Sequence, residues 1–192
     1  MIPSSPALDA RLRTHLRLVN ADEKDAAYIC VLRGDARLNK HLNPSSADVA
    51  MQLGWLEGYK AREAAGEEYY FVIVCDGADR GLVRMYDFRE LEGRRSFCWG
   101  SWLIPPPKTT GLATFSALMI YEIGFEALGF EQCHFDVRHG NRGVIAFHER
   151  AGARRVAEDE QDIFFRFFPE DHERLKRASA SQIAAHRPPI EA

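Results

Sequence analysis

Apolar and polar positions along the chain sort into short alternating runs and longer helical ones. Leu16 to Val19 reads as a strand, and Asp22 to Leu32 as a helix capped by Asn20 or Asp22 and followed by the breaker Gly34. Asp35 to Pro44 lacks a period and is a loop. Ser46 to Ala65 sets Val49, Leu53, Leu56 and Tyr59 or Lys60 near helical spacing, with Gly66 as its stop. Three strands follow, Tyr69 to Cys75, Gly81 to Asp87 and Ser96 to Ile104. They are separated by Asp76-Gly77-Ala78-Asp79 and Glu92-Gly93-Arg94, the pattern of an antiparallel meander.

Pro105-Pro106-Pro107 then ends the ladder, because proline has no N–H to donate, and a long helix runs from Leu112 to Leu128. After Gly129 come a strand, Gln132 to Val137, a helix, Asn141 to Arg150, closed by Gly152, and a last strand, Asp162 to Phe168, with a further short strand at Arg154 to Val156. The order β-α-α-β-β-β-α-β-α-β predicts one α/β (α+β) domain over residues 15–170. Residues 1–14 read as a flexible arm, and residues 171–192 as a short helix and mobile tail.

Composition narrows the function classes. The 192 residues are 46% hydrophobic and 28% charged, which suits a single globular core. A net charge of −3 offers no concentrated cation surface for nucleic acid. Cys30, Cys75, Cys98 and Cys133 form no CxxC pair and read as reduced core residues, and no metal centre is expected. Met1 to Thr14 does not join a basic segment to an apolar one, which points to a cytoplasmic protein. Gly111 to Leu128 carries Glu122 and Glu126 and is shorter than the roughly 20 apolar residues of a membrane span.

The most informative junction is Lys108-Thr109-Thr110-Gly111-Leu112-Ala113. Glycine and small residues at a helix start let backbone N–H groups approach an anion, and the helix dipole favours negative charge there. Lys108, Thr109, Thr110 and Thr114 add donors. An ordinary turn with Thr110 as N-cap is equally compatible with these residues. GxxxxGK[ST] and GxGxxG are both missing from the chain, which weakens nucleotide-fold alternatives.

Lys108-x-x-Gly111-x-Ala113 resembles the Gln/Arg-x-x-Gly-x-Gly/Ala pyrophosphate loop of the GNAT superfamily of N-acetyltransferases. The run Asn141-Arg142-Gly143-Val144-Ile145-Ala146-Phe147-His148-Glu149-Arg150-Ala151-Gly152-Ala153 is similar to that family's Asn-x-x-Ala-Ile-x-Leu-Tyr-Glu-Lys-Leu-Gly-Phe helix. The resemblance spans Leu16 to Phe168. It implies a central mixed, largely antiparallel twisted sheet flanked by helices, and transfer of acetyl from acetyl-CoA to an amine.

It also implies site residues. The pantetheine arm would lie along Ser101, Trp102, Leu103 and Ile104, with a backbone N–H near Leu103 polarising the thioester. The pyrophosphate would lie on Lys108, Thr109, Thr110, Gly111, Leu112, Ala113 and Thr114. Asn141 is a helix cap, a cofactor partner or both, and Arg142 meets a phosphate or solvent. His148 shares a face with Val144, Phe147 and Ala151 and stands where the family usually has an acid tyrosine. Its ordinary pKa near 6.5 would let it protonate a thiolate, and a hydrogen-bonded core histidine is the competing reading. His134 and His139 are weaker candidates.

Phe97 occupies the position of the family's glutamate base, so Asp87 is the nearest carboxylate expected to take the proton, with a surface turn or water as alternatives. No cysteine, serine or histidine arrangement signals a covalent nucleophile, so direct attack in a ternary complex is expected. The resemblance leans toward the branch with ribosomal-protein N-terminal and amino-sugar acetyltransferases. Arg37, Asn39, His41, Arg84, Tyr86 and Trp99 are the expected acceptor contacts, and with Lys40, Trp55 and Trp102 they suit an anionic, nucleotide-linked amino sugar. A peptide N-terminus and a non-catalytic acyl-CoA-binding domain are the rivals. The expected partners are a small-molecule amine or a peptide N-terminus, with a homodimer left open and neither nucleic acid nor membrane.

Overall fold

Tyr69–Cys75 (β2) is apolar and buried along its whole length, so both faces of the sheet around it must be covered. Alternate residues divide between two cores, as a period of two requires. Tyr70, Val72 and Val74 join Val19, Ile29, Leu56 and Tyr59, which brings helices α1 (Glu23–Gly34) and α2 (Val49–Ala64) onto one face. Tyr69, Phe71 and Ile73 join the larger core with Met85, Phe97, Trp99, Ile120, Tyr121 and Phe135, beneath α3 (Leu112–Glu122) and α4 (Arg142–Ala151).

The structure, a computed structural model, describes residues 13–42 and 48–187. Its remaining strands are β1 (Thr14–Leu18), β3 (Ala78–Leu91), β4 (Arg94–Leu103), β5 (Gln132–Arg138), β6 (Arg154–Glu158) and β7 (Asp162–Phe167). They form one seven-stranded sheet in the order β1-β2-β3-β4-β5-β7-β6. Every neighbouring pair is antiparallel except β4 and β5. The mixed, largely antiparallel sheet expected from the sequence is therefore present.

Local chemistry accounts for the boundaries. Asp22 caps α1 through Asp25 N at 2.9 Å, and Asp25, itself buried, binds Arg17 of β1 at 2.7 Å. Asp48 caps α2 by accepting from Met51 N at 3.0 Å, so α2 begins at Val49; Ser46 and Pro44 lie outside the described residues. Strand β3 is longer than Gly81 to Asp87. Both residues of Asp76-Gly77, and both of Glu92-Gly93, have positive φ, so each turn needs only two residues and the strands continue to meet them.

Helix α3 does not run regularly to Leu128 but widens into a π-helical turn, Ile123–Ala127. Gly124 sits against the Phe97 ring there, where a Cβ would lie 2.3 Å from Cε1. At the C-terminus, α5 (Pro169–Ala178) is followed by a second helix, α6 (Ala180–Ala185). His186 is buried, stacks on Phe115 at 4.1 Å and meets Thr14 Oγ1 at 2.7 Å. Ile183 and His186 of this segment thus pack on the domain, within the residues 171–192 expected as a short helix and mobile tail. Arg13 and Thr14 likewise belong to it, through an ion pair with Asp76 and β1; residues 1–12 and 188–192 lie outside the described part. None of the four cysteines forms a disulfide, and all are buried. Among the described residues no helix is long and apolar enough to cross a membrane.

Candidate active site

The one parallel pair creates the site. Strands β4 and β5 are paired only where Ser96, Phe97 and Cys98 face Gln132, Cys133 and His134. Beyond that point β5 follows β7 to Arg138, while β4 continues to Leu103 without a partner on its β5 side. A bulge bends β4 away: Gly100 pairs with Arg84 and Leu103 with Leu82, so Ser101 and Trp102 stand opposite the single residue Val83. Ser101 takes φ 48° to make that bend. The strands splay, and a cleft of about 640 Å³ opens through the sheet from α1 and α2 to α4.

Several expected residues meet on its walls: His41, Arg84, Tyr86, Trp99, Ser101, Trp102, Asn141 and His148. Asn141 stands at the N-cap of α4, yet its side chain makes no capping hydrogen bond. The side chains of Leu103 and Ile104 point away from the cleft, which leaves only their main-chain groups to meet a pantetheine arm. Leu103 is buried against the α1 and α2 core, and Ile104 packs on the larger core. Arg142 is exposed and does not line the cleft.

The loop from Lys108 to Thr114 lies outside the cleft wall, at the start of α3. Gly111, at φ 81°, is the N-cap instead of Thr110, and it supplies no side-chain oxygen. The first-turn N–H groups of α3 thus lack a side-chain cap, which is the condition under which a helix start accepts an anion. Lys108 and Thr110 are exposed beside them, Thr109, Ala113 and Thr114 are half-buried, and Leu112 is in the core.

Asp87 is the main correction. It sits at a second bulge, with φ 53°, and its carboxylate lies 3.0 Å from His134 Nε2 and 3.4 Å from Arg89, off the cleft. His134 Nδ1 in turn meets Ser96 Oγ at 2.6 Å, so the chain braces β3, β4 and β5 where the last two are still paired. His139, the other weak candidate, bonds the Asp159 carbonyl. Arg37 is also displaced, since its exposed guanidinium is clamped to Asp35 at 2.7 Å. Asn39 does not line the cleft either.

The cleft's own carboxylate is Asp136, which the sequence reading missed. Asp136 is the one exposed residue of β5, and partial desolvation against the cleft wall, reinforced by nearby Asp162, raises its pKa above the ordinary aspartate value. A signal existed, because Asp is depleted in strands and this one interrupts the apolar pair Phe135 and Val137.

His148 is 4% exposed, with its ring 4.2 Å from that of Phe135 and 5.3 Å from that of Trp99. Its Nδ1 has no hydrogen-bond partner. Burial lowers its pKa to about 3, so the ring is neutral at pH 7 and the imidazolium on which the acid role rested is not formed. On the opposite wall, the Arg84 guanidinium pairs with Glu68 and lies over the rings of Trp55, at 5.3 Å, and Tyr86, at 5.2 Å. Arg33, Arg84 and Arg138 line the cleft against the one carboxylate of Asp136.

Known proteins share this fold. A solved structure described as apo FdhC, a nucleotide-linked sugar GNAT, is 44% identical, with a TM-score of 0.78 over 87% of this chain and 93% of that one. Mycobacterium smegmatis RimJ in complex with CoA-disulfide is 19% identical, with a TM-score of 0.72 over 88% of this chain and 92% of that one, a likeness of fold. The acetyltransferase MccE of microcin C7 self-immunity, in complex with acetyl-CoA and AMP, is 13% identical, with a TM-score of 0.66 over 81% and 92%. A comparison with curated protein sequences found no match. Residues 13–154 match the profile of the Acetyltransferase (GNAT) domain, and this chain belongs to that family.

Proposed function

We propose that the protein transfers the acetyl group of acetyl-CoA to the amine of a nucleotide-linked amino sugar. The observation that carries this reading is the composition of the cleft on its α1 and α2 side. Arg33, Arg84, Trp55 and Tyr86 offer cations and flat rings to a phosphorylated, base-bearing acceptor, and among the described residues only one carboxylate lines the cleft to attract a peptide N-terminus. The 44% identical relative described as a nucleotide-linked sugar GNAT supports the same class.

Acetyl-CoA would supply a thioester carbonyl open to attack by a neutral amine. The uncapped N–H groups of α3, with Lys108, Thr109 and Thr110, suit its pyrophosphate, and the unpaired edge of β4 at Ser101 and Trp102 suits its amide-bearing arm. Asp136 takes the proton of the acceptor ammonium, a task that its raised pKa favours. His148 contributes a neutral hydrogen-bonding nitrogen, Nδ1, in place of an imidazolium acid, so as the C–N bond forms and the C–S bond breaks the coenzyme A thiolate takes its proton from the attacking nitrogen or from water. Four reduced cysteines agree with a cytoplasmic setting.

The test is release of free coenzyme A thiol by the purified protein with acetyl-CoA and either nucleotide-linked amino sugars or N-terminal peptides. Turnover is expected with the sugars. In addition, Trp55→Ala should raise KM for the sugar while leaving acetyl-CoA affinity unchanged. Turnover confined to peptides would overturn the acceptor assignment, and acetyl-CoA binding without turnover of any amine would favour a non-catalytic domain.

A further inference from the structure

Away from the cleft, Glu126 lies in the π-helical turn after α3, and His172 and Glu173 lie on α5, which packs against α3. One ligating atom from each of these three side chains comes within 4.8 Å of the others. Acidic groups gather on many surfaces, so the weight of the argument falls on His172. Its side chain is 1% exposed and its Nε2 has no hydrogen-bond partner. The ring is hydrogen-bonded to the backbone of Leu118, and with Nε2 unengaged that bond runs through Nδ1. This tautomer leaves a buried lone pair on Nε2, with no donor to satisfy it, on the side chain that clusters with the two carboxylates.

The carboxylates already share a cation. Lys176 Nζ stands 2.9 Å from Glu126 and 2.5 Å from Glu173, and the ammonium leaves His172 Nε2 unserved. An ion that accepts electron pairs from all three groups would satisfy the nitrogen as well as the two oxygens.

We propose that Glu126, His172 and Glu173 form a binding site for a divalent metal of the zinc class, with Lys176 as the counter-cation that the metal displaces. One imidazole nitrogen and two carboxylates suit zinc and its neighbours better than calcium or magnesium, which prefer oxygen alone. A bond from Nδ1–H to a backbone carbonyl is the usual way a ligating histidine is held in its tautomer. Glu126 and Glu173 are exposed at the surface and leave an approach and a position for water. None of the three residues lines the cleft, so the ion ties the π turn to α5 and has no part in acyl transfer.

Zinc chloride added to metal-free, full-length protein at pH 7, read by competition with a chromophoric chelator and by thermal melting, tests the site. The proposal expects one zinc per chain and a raised Tm. Glu126→Gln and Glu173→Gln, at exposed positions that leave folding intact, should each weaken binding by about tenfold or more, as should His172→Ala. Lys176→Met should tighten binding, because the competing ammonium is gone. Wild-type affinity equal to that of the Glu126→Gln/Glu173→Gln double variant would overturn the site, and so would unchanged or weaker binding by Lys176→Met.

Discussion

Gly111 lies against the ring of Phe115 so closely that a Cβ on the glycine would stand 2.5 Å from Cε2. With φ 81°, the position also resists any side chain on conformational grounds. Gly111→Val should therefore lower Tm whether or not a phosphate binds there, and lost cofactor affinity in that variant says little about the loop. Lys108 is exposed and separates the two effects. Lys108→Glu should weaken acetyl-CoA binding by about tenfold or more, the scale of one charge-assisted contact, with Tm unchanged. Equal calorimetric affinity in wild type and Lys108→Glu would remove the loop from the cofactor site.

Two carboxylates, Asp87 and Asp136, compete for the role of base, and their surroundings decide between them. Asp136→Asn should lower kcat/KM by roughly 10²–10⁴-fold, the range for loss of a general base, with acetyl-CoA affinity retained. Asp87→Asn should keep near-wild-type turnover and lose stability, since its partner is buried His134. Because the Asp136 pKa is raised, wild-type activity should fall as pH drops through a value above that of an ordinary aspartate. A pH–rate profile unchanged by Asp136→Asn would reject this assignment.

Much of the fold was legible because it depends on local patterns. β2 has the bounds that the sequence reading assigned, since seven apolar residues between turn signals leave little choice. The ends of β3 were not legible, because two residues with positive φ can turn a hairpin that composition alone spreads over four. Site residues on β4 and α4 could be placed by resemblance, yet their chemistry depends on what packs around them. The neutral state of His148 comes from rings on β4, β5 and α4, and the position of Asp87 off the cleft comes from a bulge and from His134 on another strand. Asp136 became a candidate only once the splay of β4 from β5 turned its strand into a wall of the cleft.

His148 gives stability a defined pH dependence. Its folded-state pKa is about 3 against an ordinary value of 6.5, so between these values the unfolded chain binds more protons than the folded one. Stability should therefore fall as pH drops from about 6.5 toward 3, with this residue contributing a slope of at most ~1.4 kcal/mol per pH unit. Phenylalanine fits the surrounding aromatic nest and cannot titrate. Denaturant unfolding of His148→Phe at pH 7, 6 and 5 should show a shallower decline than wild type. Parallel declines would mean that the buried imidazole does not titrate as its burial requires.

The acetyl group should never reside on the enzyme. Ser96, His134 and Asp87 form a hydrogen-bonded chain with the residue types of an activated serine, at 2.6 Å and 3.0 Å, so a covalent route needs to be weighed. Ser96 is completely buried and does not line the cleft, which leaves no path for a thioester to its oxygen. The thiols are no better placed. Burial pushes the Cys98 pKa up to about 12 and that of Cys133 well above the thiol value, so neither is a thiolate at neutral pH, and Cys30 and Cys75 are buried off the cleft. Direct attack by the acceptor amine is the remaining route. Intact mass measured after mixing the protein with acetyl-CoA alone should show no added acetyl group, and Ser96→Ala should turn over at a rate set only by any loss of folded protein. An acetylated species that appears in wild type and vanishes in Ser96→Ala would establish the covalent path instead.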